Sequence, residues 1–252
     1  MSESRLLREA EFHDKAFTEK TRAAAGKFYA VAASAKLRYR DLIRGDCAGR
    51  NVLEYGCGTG SCAFDLARDG ADVVGIDISP AGIDLAERRA EEEALSERLT
   101  FRCMNAESLE FPDRHFDLIC GSGILHHLDL ERALAQLRRV LKKNGRAVFF
   151  EPLGHNPLVN LFRRLTPGMR SADEHPLLID DLRLLAAGFE NAEFHFFTLC
   201  SLLAIPFRSL PGFGPLLKIL ETIDRALFAI PFFRKQAWIV VIQLTAPRET
   251  VK

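Results

Sequence analysis

From residue 51 onward the apolar positions fall into short continuous runs, separated by longer stretches in which they recur every three or four places. The runs predict strands near 51–55, 72–76, 99–103, 116–121 and 146–151, and the stretches between predict helices near 61–69, 80–95 and 130–142. Ser79-Pro80 is a good helix entry, a capping residue followed by proline in the first turn. Asn144-Gly145 is expected to end the third of these helices and turn the chain into the fifth strand. Ile179 to Ala187 reads as a helix that stops at Gly188, and Phe189 to Leu199 as a sixth strand. Gln236 to Leu244 reads as a seventh strand, with Trp238-Ile-Val-Val-Ile242 apolar enough to lie inside a sheet. Alternation of strand and helix implies a three-layer, doubly wound α/β domain with a seven-stranded, mostly parallel sheet.

Two segments stand outside that alternation. Residues 1–44 read as helical, rich in Glu, Lys, Arg and Ala, with Gly26 as a break. Phe12, Phe17, Phe28, Tyr29, Leu37, Leu42 and Ile43 are its expected apolar anchors on the domain edge. Residues 200–235, between the sixth and seventh strands, are rich in Leu, Ile, Phe and Pro, with a helix expected near 214–229. Arg208, Lys218, Glu221, Asp224, Arg225 and Arg234 interrupt this insertion, so it offers no uncharged run of the ~18 residues a membrane span requires. Its helix, with Leu216, Leu217, Ile219, Leu220, Ile223 and Leu227, must bury a face against a substrate pocket, a second subunit or a membrane surface.

The first strand breaks directly into Gly56, Gly58 and Gly60, and a helical run follows. Glycines at alternate positions allow a tight turn and close approach of a ligand to the backbone. The helix behind them presents free N–H groups and a partial positive charge to that ligand. Asp77 ends the second strand, where an acid is placed to accept hydrogen bonds from the hydroxyls of a ribose. Together these features favour a nucleoside-containing cofactor over a plain connecting turn. The dinucleotide spacing G-x-G-x-x-G/A is not met, because Ser61 stands at its third small position.

The chain resembles the class I S-adenosylmethionine (SAM)-dependent methyltransferases, a Rossmann-like family. The resemblance rests on Glu54 followed by Gly56-x-Gly58-x-Gly60, Asp77, Asn105-Ala-Glu-Ser-Leu-Glu-Phe-Pro112, Phe116-Asp-Leu-Ile119 and Gly123-Ile-Leu-His-His127. It covers about residues 45–198, is specific for the superfamily and says little of the substrate. It implies that Glu54 and the turn around Tyr55, Gly56, Cys57, Gly58 and Gly60 hold the amino-acid end of SAM. It further implies Asp77 on the ribose, Ile78 and Ser79 beside the adenine, and the backbone of Ala106 and Glu107 at the adenine edge. Gly121 and Ser122 fall under the methionine portion. Asn105 stands where many relatives have aspartate and can still accept from the adenine amino group through its carbonyl. Residues 1–44 are implied as a lid in which Phe28 and Tyr29 cover the cofactor.

Methyl transfer is an in-line displacement in which positioning supplies much of the rate, and a base is required only when the nucleophile must lose a proton. His127 and His126 after the fourth strand, then Glu151 and His155 after the fifth, are the candidates, because ligands bind at strand carboxyl ends. Leu125-His-His127 also fits helix capping or pocket lining. His13 and His175 are expected to be surface or packing residues. The histidines are scattered in the sequence, and adjacent His126 and His127 are expected to point apart, which argues against a metal.

At 252 residues the chain can hold one such domain with decorations, read as a lid over 1–44 and a SAM-binding domain over 45–252 with the insertion at 200–235. The 34 basic and 34 acidic residues balance, so nothing marks a nucleic-acid footprint. Six cysteines lack zinc spacing or a C-x-x-C pair; Cys103 and Cys120 are expected as reduced core thiols and Cys57 as a small filler in the turn. The charged start of the chain lacks a secretory apolar core, and a reducing cytoplasm fits. The leading expectation is a SAM-dependent enzyme methylating a small apolar acceptor at O, N, S or C, with S-adenosylhomocysteine (SAH) as product. A quinone or lipid methyltransferase is the narrower alternative. A non-catalytic SAM-binding module, whose insertion makes a dimer or peripheral membrane contact, is the alternative of another class.

Overall fold

The computed structural model describes residues 3–18, 28–166 and 174–248. The expected Gly26 break and the side chains of Phe17 and Phe28 lie outside the described residues. Helix α1 (Glu3–Thr18) is followed by a 3-10 turn (Phe28–Ala32) and α2 (Ala33–Arg44). The alternating part runs β1 (Asn51–Tyr55), α3 (Ala63–Arg68), β2 (Asp72–Asp77), α4 (Pro80–Glu92), β3 (Leu99–Cys103), β4 (Phe116–Ser122), a 3-10 turn (Leu125–His127), α5 (Leu130–Val140) and β5 (Leu141–Pro152). Then come α6 (Pro157–Leu165), α7 (Ile179–Ala187), β6 (Phe189–Phe197), a 3-10 helix (Cys200–Phe207), α8 (Phe213–Leu227), α9 (Pro231–Arg234) and β7 (Ile239–Pro247).

The strands form one seven-stranded sheet in the order β3-β2-β1-β4-β5-β7-β6. The first five strands pair in parallel, and β7 runs antiparallel to both β5 and β6. Both faces are covered, so strand residues alternate between two cores rather than between core and water. Leu53, Tyr55, Ile119 and Phe149 pack with α5 and α7 on one face, and Val52, Leu118 and Val148 pack with α2, α3 and α4 on the other. Strand order reverses between β1 and β4, and the carboxyl ends of the strands there open the crevice in which such sheets bind ligands.

Several local expectations need correction. Asn144-Gly145 does not end a helix: α5 stops at Val140, and the pair lies inside β5, where the register to β4 jumps from Phe116↔Leu141 to Leu118↔Arg146. The extra residues are accommodated as a bulge. Helix α6 is absent from the expected elements, although Asn156-Pro157 carries the same cap-then-proline signal as Ser79-Pro80, and Asn156 Oδ1 accepts from the Leu158 and Val159 N–H groups. Cys103 is exposed because β3 is the edge strand, whereas Cys120, inside the sheet, is buried. Leu37 is exposed and anchors nothing, while Tyr39 and Ile43 of the same helix are buried.

Residues 200–235 bury one face against their own chain. Leu217 is buried with Val31 and Ala204, and Phe213, Leu216, Leu220 and Trp238 pack around them, whereas Ile219 and Ile223 face outward. Buried Asp224 accepts from the N–H groups of Leu199, Cys200 and Ser201 and from the Ser201 hydroxyl, closing the start of the 3-10 helix. No helix among the described residues is long and apolar enough to cross a membrane.

Candidate active site

The turn after β1 is set by its glycines. Gly56, Gly58 and Gly60 all have left-handed φ, at 71°, 54° and 80°. A Cβ on Gly56 would come within 2.7 Å of the Ile124 side chain, so alanine is excluded there by space as well as by conformation. Glu54 stands behind this turn. Its Oε1 accepts from the Ser61 hydroxyl at 2.6 Å and the Cys62 N–H at 2.7 Å, and its Oε2 accepts from the Ala63 N–H at 3.0 Å. Burial raises its pKa, and those hydrogen bonds oppose the rise. The carboxylate is thus committed to the first N–H groups of α3, not to the cleft.

Asp77 ties the end of β2 to the glycine turn after β1. Its Oδ2 accepts from the Gly58 N–H at 2.7 Å, and its Oδ1 from the Ser79 N–H at 3.0 Å. A cavity of about 50 Å³ opens beside it, lined by Gly56, Asp77, Ile78, Asn105, Ala106, Ile124 and His127 on one side and by Arg5, Leu6, Glu9 and His13 of α1 on the other. Asn105 Oδ1 accepts from the Glu107 N–H at 2.9 Å, forming a local turn and leaving its amide N–H groups as donors. The carbonyl keeps a second lone pair with which it can accept from a ligand.

Other members of the expected set lie one layer away. Tyr55 is fully buried against Phe149, and its hydroxyl donates to the Ala106 carbonyl beneath the cavity. Cys57 is buried in the turn, and burial pushes its thiol far above the ordinary range. Ser79 caps α4 by accepting from the Gly82 N–H and is completely buried. Gly60 packs against Phe64, and Gly121 comes so close to the Tyr55 carbonyl that a Cβ would meet it at 2.7 Å. Ser122 is exposed at the end of β4. Tyr29 stacks near Trp238, at 5.3 Å between ring centroids, and is not part of the cavity lining.

The histidines do not point apart as expected. His126 and His127 have ring centroids 4.2 Å apart, and His13 meets His127 edge-on at 5.2 Å. His13 is therefore a packing residue, and it lines the cleft. Glu151 is wholly buried. Its Oε1 accepts from the Ile124 and Leu125 N–H groups, both at 2.9 Å, and its Oε2 lies 2.7 Å from His126 Nδ1. This contact orients the imidazole with Nε2 directed away from Glu151, as the carboxylate does in acid–histidine pairs of hydrolases. Burial pushes the His127 imidazole below its ordinary pKa, against the opposing influence of Glu9, whose Oε2 lies 3.2 Å from His127 Nδ1. His155 Nε2 accepts from the Ile179 N–H at the start of α7. Its ring is taken up there, which removes it from the base candidates.

The residues that the sequence motifs do not reach are on α1. Arg5 pairs with buried Glu107 and donates to the His127 carbonyl at 2.9 Å. Asp14 accepts from the Ser79 hydroxyl and from the Ala81 N–H at 3.2 Å, adding a cap to α4. Spacing is the one local signal of this face: Arg5, Glu9 and His13 stand four residues apart and share one side of the helix. A larger concavity of about 450 Å³, lined by Arg50, Asp117, Lys142 and Arg146, lies at the opposite, amino-terminal ends of the parallel strands and apart from this chemistry.

This geometry defines a Rossmann-like α/β fold in which the glycine turn after β1 lies at the switch point and Asp77 of β2 stands beside it. Residues 53–149 match the family described as "Methyltransferase domain". Over that stretch the chain is similar to the class I SAM-dependent methyltransferases. It is 32% identical over 128 residues to the ubiquinone biosynthesis O-methyltransferase of Acinetobacter baylyi, an alignment covering 50% of this chain and 53% of that protein. The chain thus spans about half the length of the curated relatives it matches. Among solved structures, geranyl diphosphate C-methyltransferase from Streptomyces coelicolor A3(2), in complex with Mg2+, geranyl diphosphate and SAH, aligns with a TM-score of 0.62 at 16% identity, covering 86% of this chain and 80% of that one. The [4+2]-cyclase SpnF aligns with a TM-score of 0.58 at 24% identity over 84% and 82%. These structural likenesses speak for the shared fold.

Proposed function

We propose that the chain transfers the methyl group of SAM to a small apolar acceptor that bears a hydroxyl, with SAH as the other product. The observation that carries this reading is the Asp77–Gly58 contact between the end of β2 and the turn after β1, beside a cavity that Gly56, Asn105 and Ala106 also line. The donor set suits SAM: Asp77 for the ribose hydroxyls, the Asn105 amide for the base, and a turn in which Gly56 keeps the backbone bare. The volume does not yet suit it, since drug-sized ligands take about 300–1,000 Å³. Helix α1 therefore acts as a lid that lifts to admit the cofactor. Glu54 serves by holding the turn against α3, and Tyr55 by holding the loop of Ala106.

The sulfonium of SAM supplies an activated methyl group. Among the chain's own groups, His126, oriented through Nδ1 by Glu151, takes the acceptor proton at Nε2. Glu151 is a positioning residue, because both its oxygens are engaged by the 124–126 turn. The insertion supports the apolar part of the acceptor. Register pairs Pro152 with Ile239 and Phe197 with Ile239, so residues 200–235 leave and rejoin the sheet at the carboxyl end of β5, the end that carries Glu151. Similarity to a ubiquinone-pathway O-methyltransferase makes quinol-type hydroxyls the first acceptors to try. The test is an incubation with methyl-labelled SAM and a panel of quinols, phenols and isoprenoid alcohols, read by mass spectrometry. Labelled product supports the reading; tight SAH binding without any product across the panel favours the non-catalytic module.

A further inference from the structure

The fold gathers three metal-ligating atoms where the sequence gives no metal motif. Glu9 and His13 share one face of α1, and His127 reaches them from the 3-10 turn after β4. Glu9 Oε2 lies 3.5 Å from His13 Nε2 and 3.2 Å from His127 Nδ1. All three ligand atoms lie within 4.8 Å of one another, and Glu9 and His127 are buried. A tetrahedral zinc with bonds of about 2.0–2.2 Å places its ligand atoms about 3.3–3.6 Å apart. The two measured separations already approach the edges of that tetrahedron, so little movement is required to seat an ion.

We propose that Glu9, His13 and His127 form a site for a divalent transition metal of the zinc class, bridging α1 to the wall of the cleft. Two imidazoles and one carboxylate are the ligand types such ions select, and three protein ligands leave a fourth position for solvent. The site exists only while α1 is seated, because two of its ligands belong to that helix. Metal binding therefore holds α1 down over the cavity lined by Asp77 and Asn105. On the methyl-transfer reading, on which this consequence rests, zinc and the cofactor oppose each other.

A second grouping, His126, His127 and Glu174, shares His127 but spans 4.0 Å between His126 Nε2 and Glu174 Oε1. Its distances fit a tetrahedron less well, and His126 is already engaged by Glu151. It provides the control.

The test is calorimetric titration of zinc chloride into the metal-free full chain, with its Glu9→Gln, His13→Asn and Glu174→Gln variants. The expected result is one saturable site, weakened about tenfold or more by Glu9→Gln and by His13→Asn, since even indirect ligand supports are worth 10–100-fold. Glu174→Gln is expected to leave it intact. Absence of a saturable site, or full zinc binding by His13→Asn, overturns the proposal. His13 lies on the lid, so its substitution leaves the domain core in place, and circular dichroism of each variant checks the fold. Hydrogen exchange over residues 3–18 is expected to slow with zinc; unchanged exchange overturns the bridging role. A chain that binds zinc in this variant-dependent way but no SAH refutes the methyl-transfer reading and leaves the metal site standing.

Discussion

Removing the latch on α1 is the perturbation that separates a lid from a fixed wall. Arg5 pairs with Glu107, which is almost wholly buried, and also donates to the His127 carbonyl at 2.9 Å. Arg5→Ala deletes both contacts and leaves the Glu107 carboxylate with the Asp129 N–H at 2.9 Å. Hydrogen bonds to charged groups are worth ~1.5–3 kcal/mol net, and desolvation of the pair takes the expected loss toward the lower end. In the open state both groups are hydrated, so the loss falls on the closed state alone. If closing competes with cofactor entry, weakening it by ~1.5 kcal/mol tightens SAH about tenfold. Asp14→Ala, which removes the cap on Ser79 and Ala81, is expected to act in the same direction. The assay is calorimetric titration of SAH, paired with hydrogen exchange over residues 3–18 in the free chain. Faster exchange with tighter SAH binding is the predicted pair of results. Unchanged or weaker SAH binding refutes the reasoning and makes α1 part of the cofactor's own contact surface.

His126→Ala is expected to lower turnover by ~10²–10⁴ while SAH affinity holds; a larger loss in His127→Ala would move the base role to that residue. Replacing 202–233 by a short hairpin should keep SAH binding and abolish turnover. Retained turnover, with loss only of a dimer on a sizing column or of liposome binding, would assign the segment to an interface. Asp117 gives a stability test. Burial alone raises its pKa, but Lys142 at 2.7 Å, the Asn51 N–H at 3.0 Å and Arg50 together hold it below the ordinary carboxylate value. A depressed acid contributes stability above its unfolded pKa and loses it as pH falls through the folded one. Asp117→Asn should therefore destabilise by about 1 kcal/mol at neutral pH, and the difference should shrink below about pH 4. Thermal melts at stepped pH check this, and a difference independent of pH contradicts it.

The parts legible in the sequence are those fixed by neighbours along the chain. Left-handed glycines and a strand-end acid announce themselves locally, so the turn at 56–60 and Asp77 can be placed from residue order alone. What escapes is decided by distant contacts. Asn144-Gly145 has the local chemistry of a helix stop, yet pairing with β4 draws it into a bulged strand. His155 looks available at the end of β5 until α7 arrives with an N–H to satisfy. The seating of α1 is least legible, because Arg5, Glu9, His13 and Asp14 read as the polar face of a solvated helix until Glu107, His127 and Ser79 are brought beneath them.

A SAM site built on Asp77 and the glycine turn is put to the test by calorimetric titration of SAH and of NAD into the wild-type chain and its Asp77→Ala variant. The expected result is one SAH site per chain, weakened by ~1–3 kcal/mol in the variant through loss of charged hydrogen bonds, and no comparable binding of NAD. Equal or tighter binding of NAD, or SAH affinity untouched by Asp77→Ala, would contradict it.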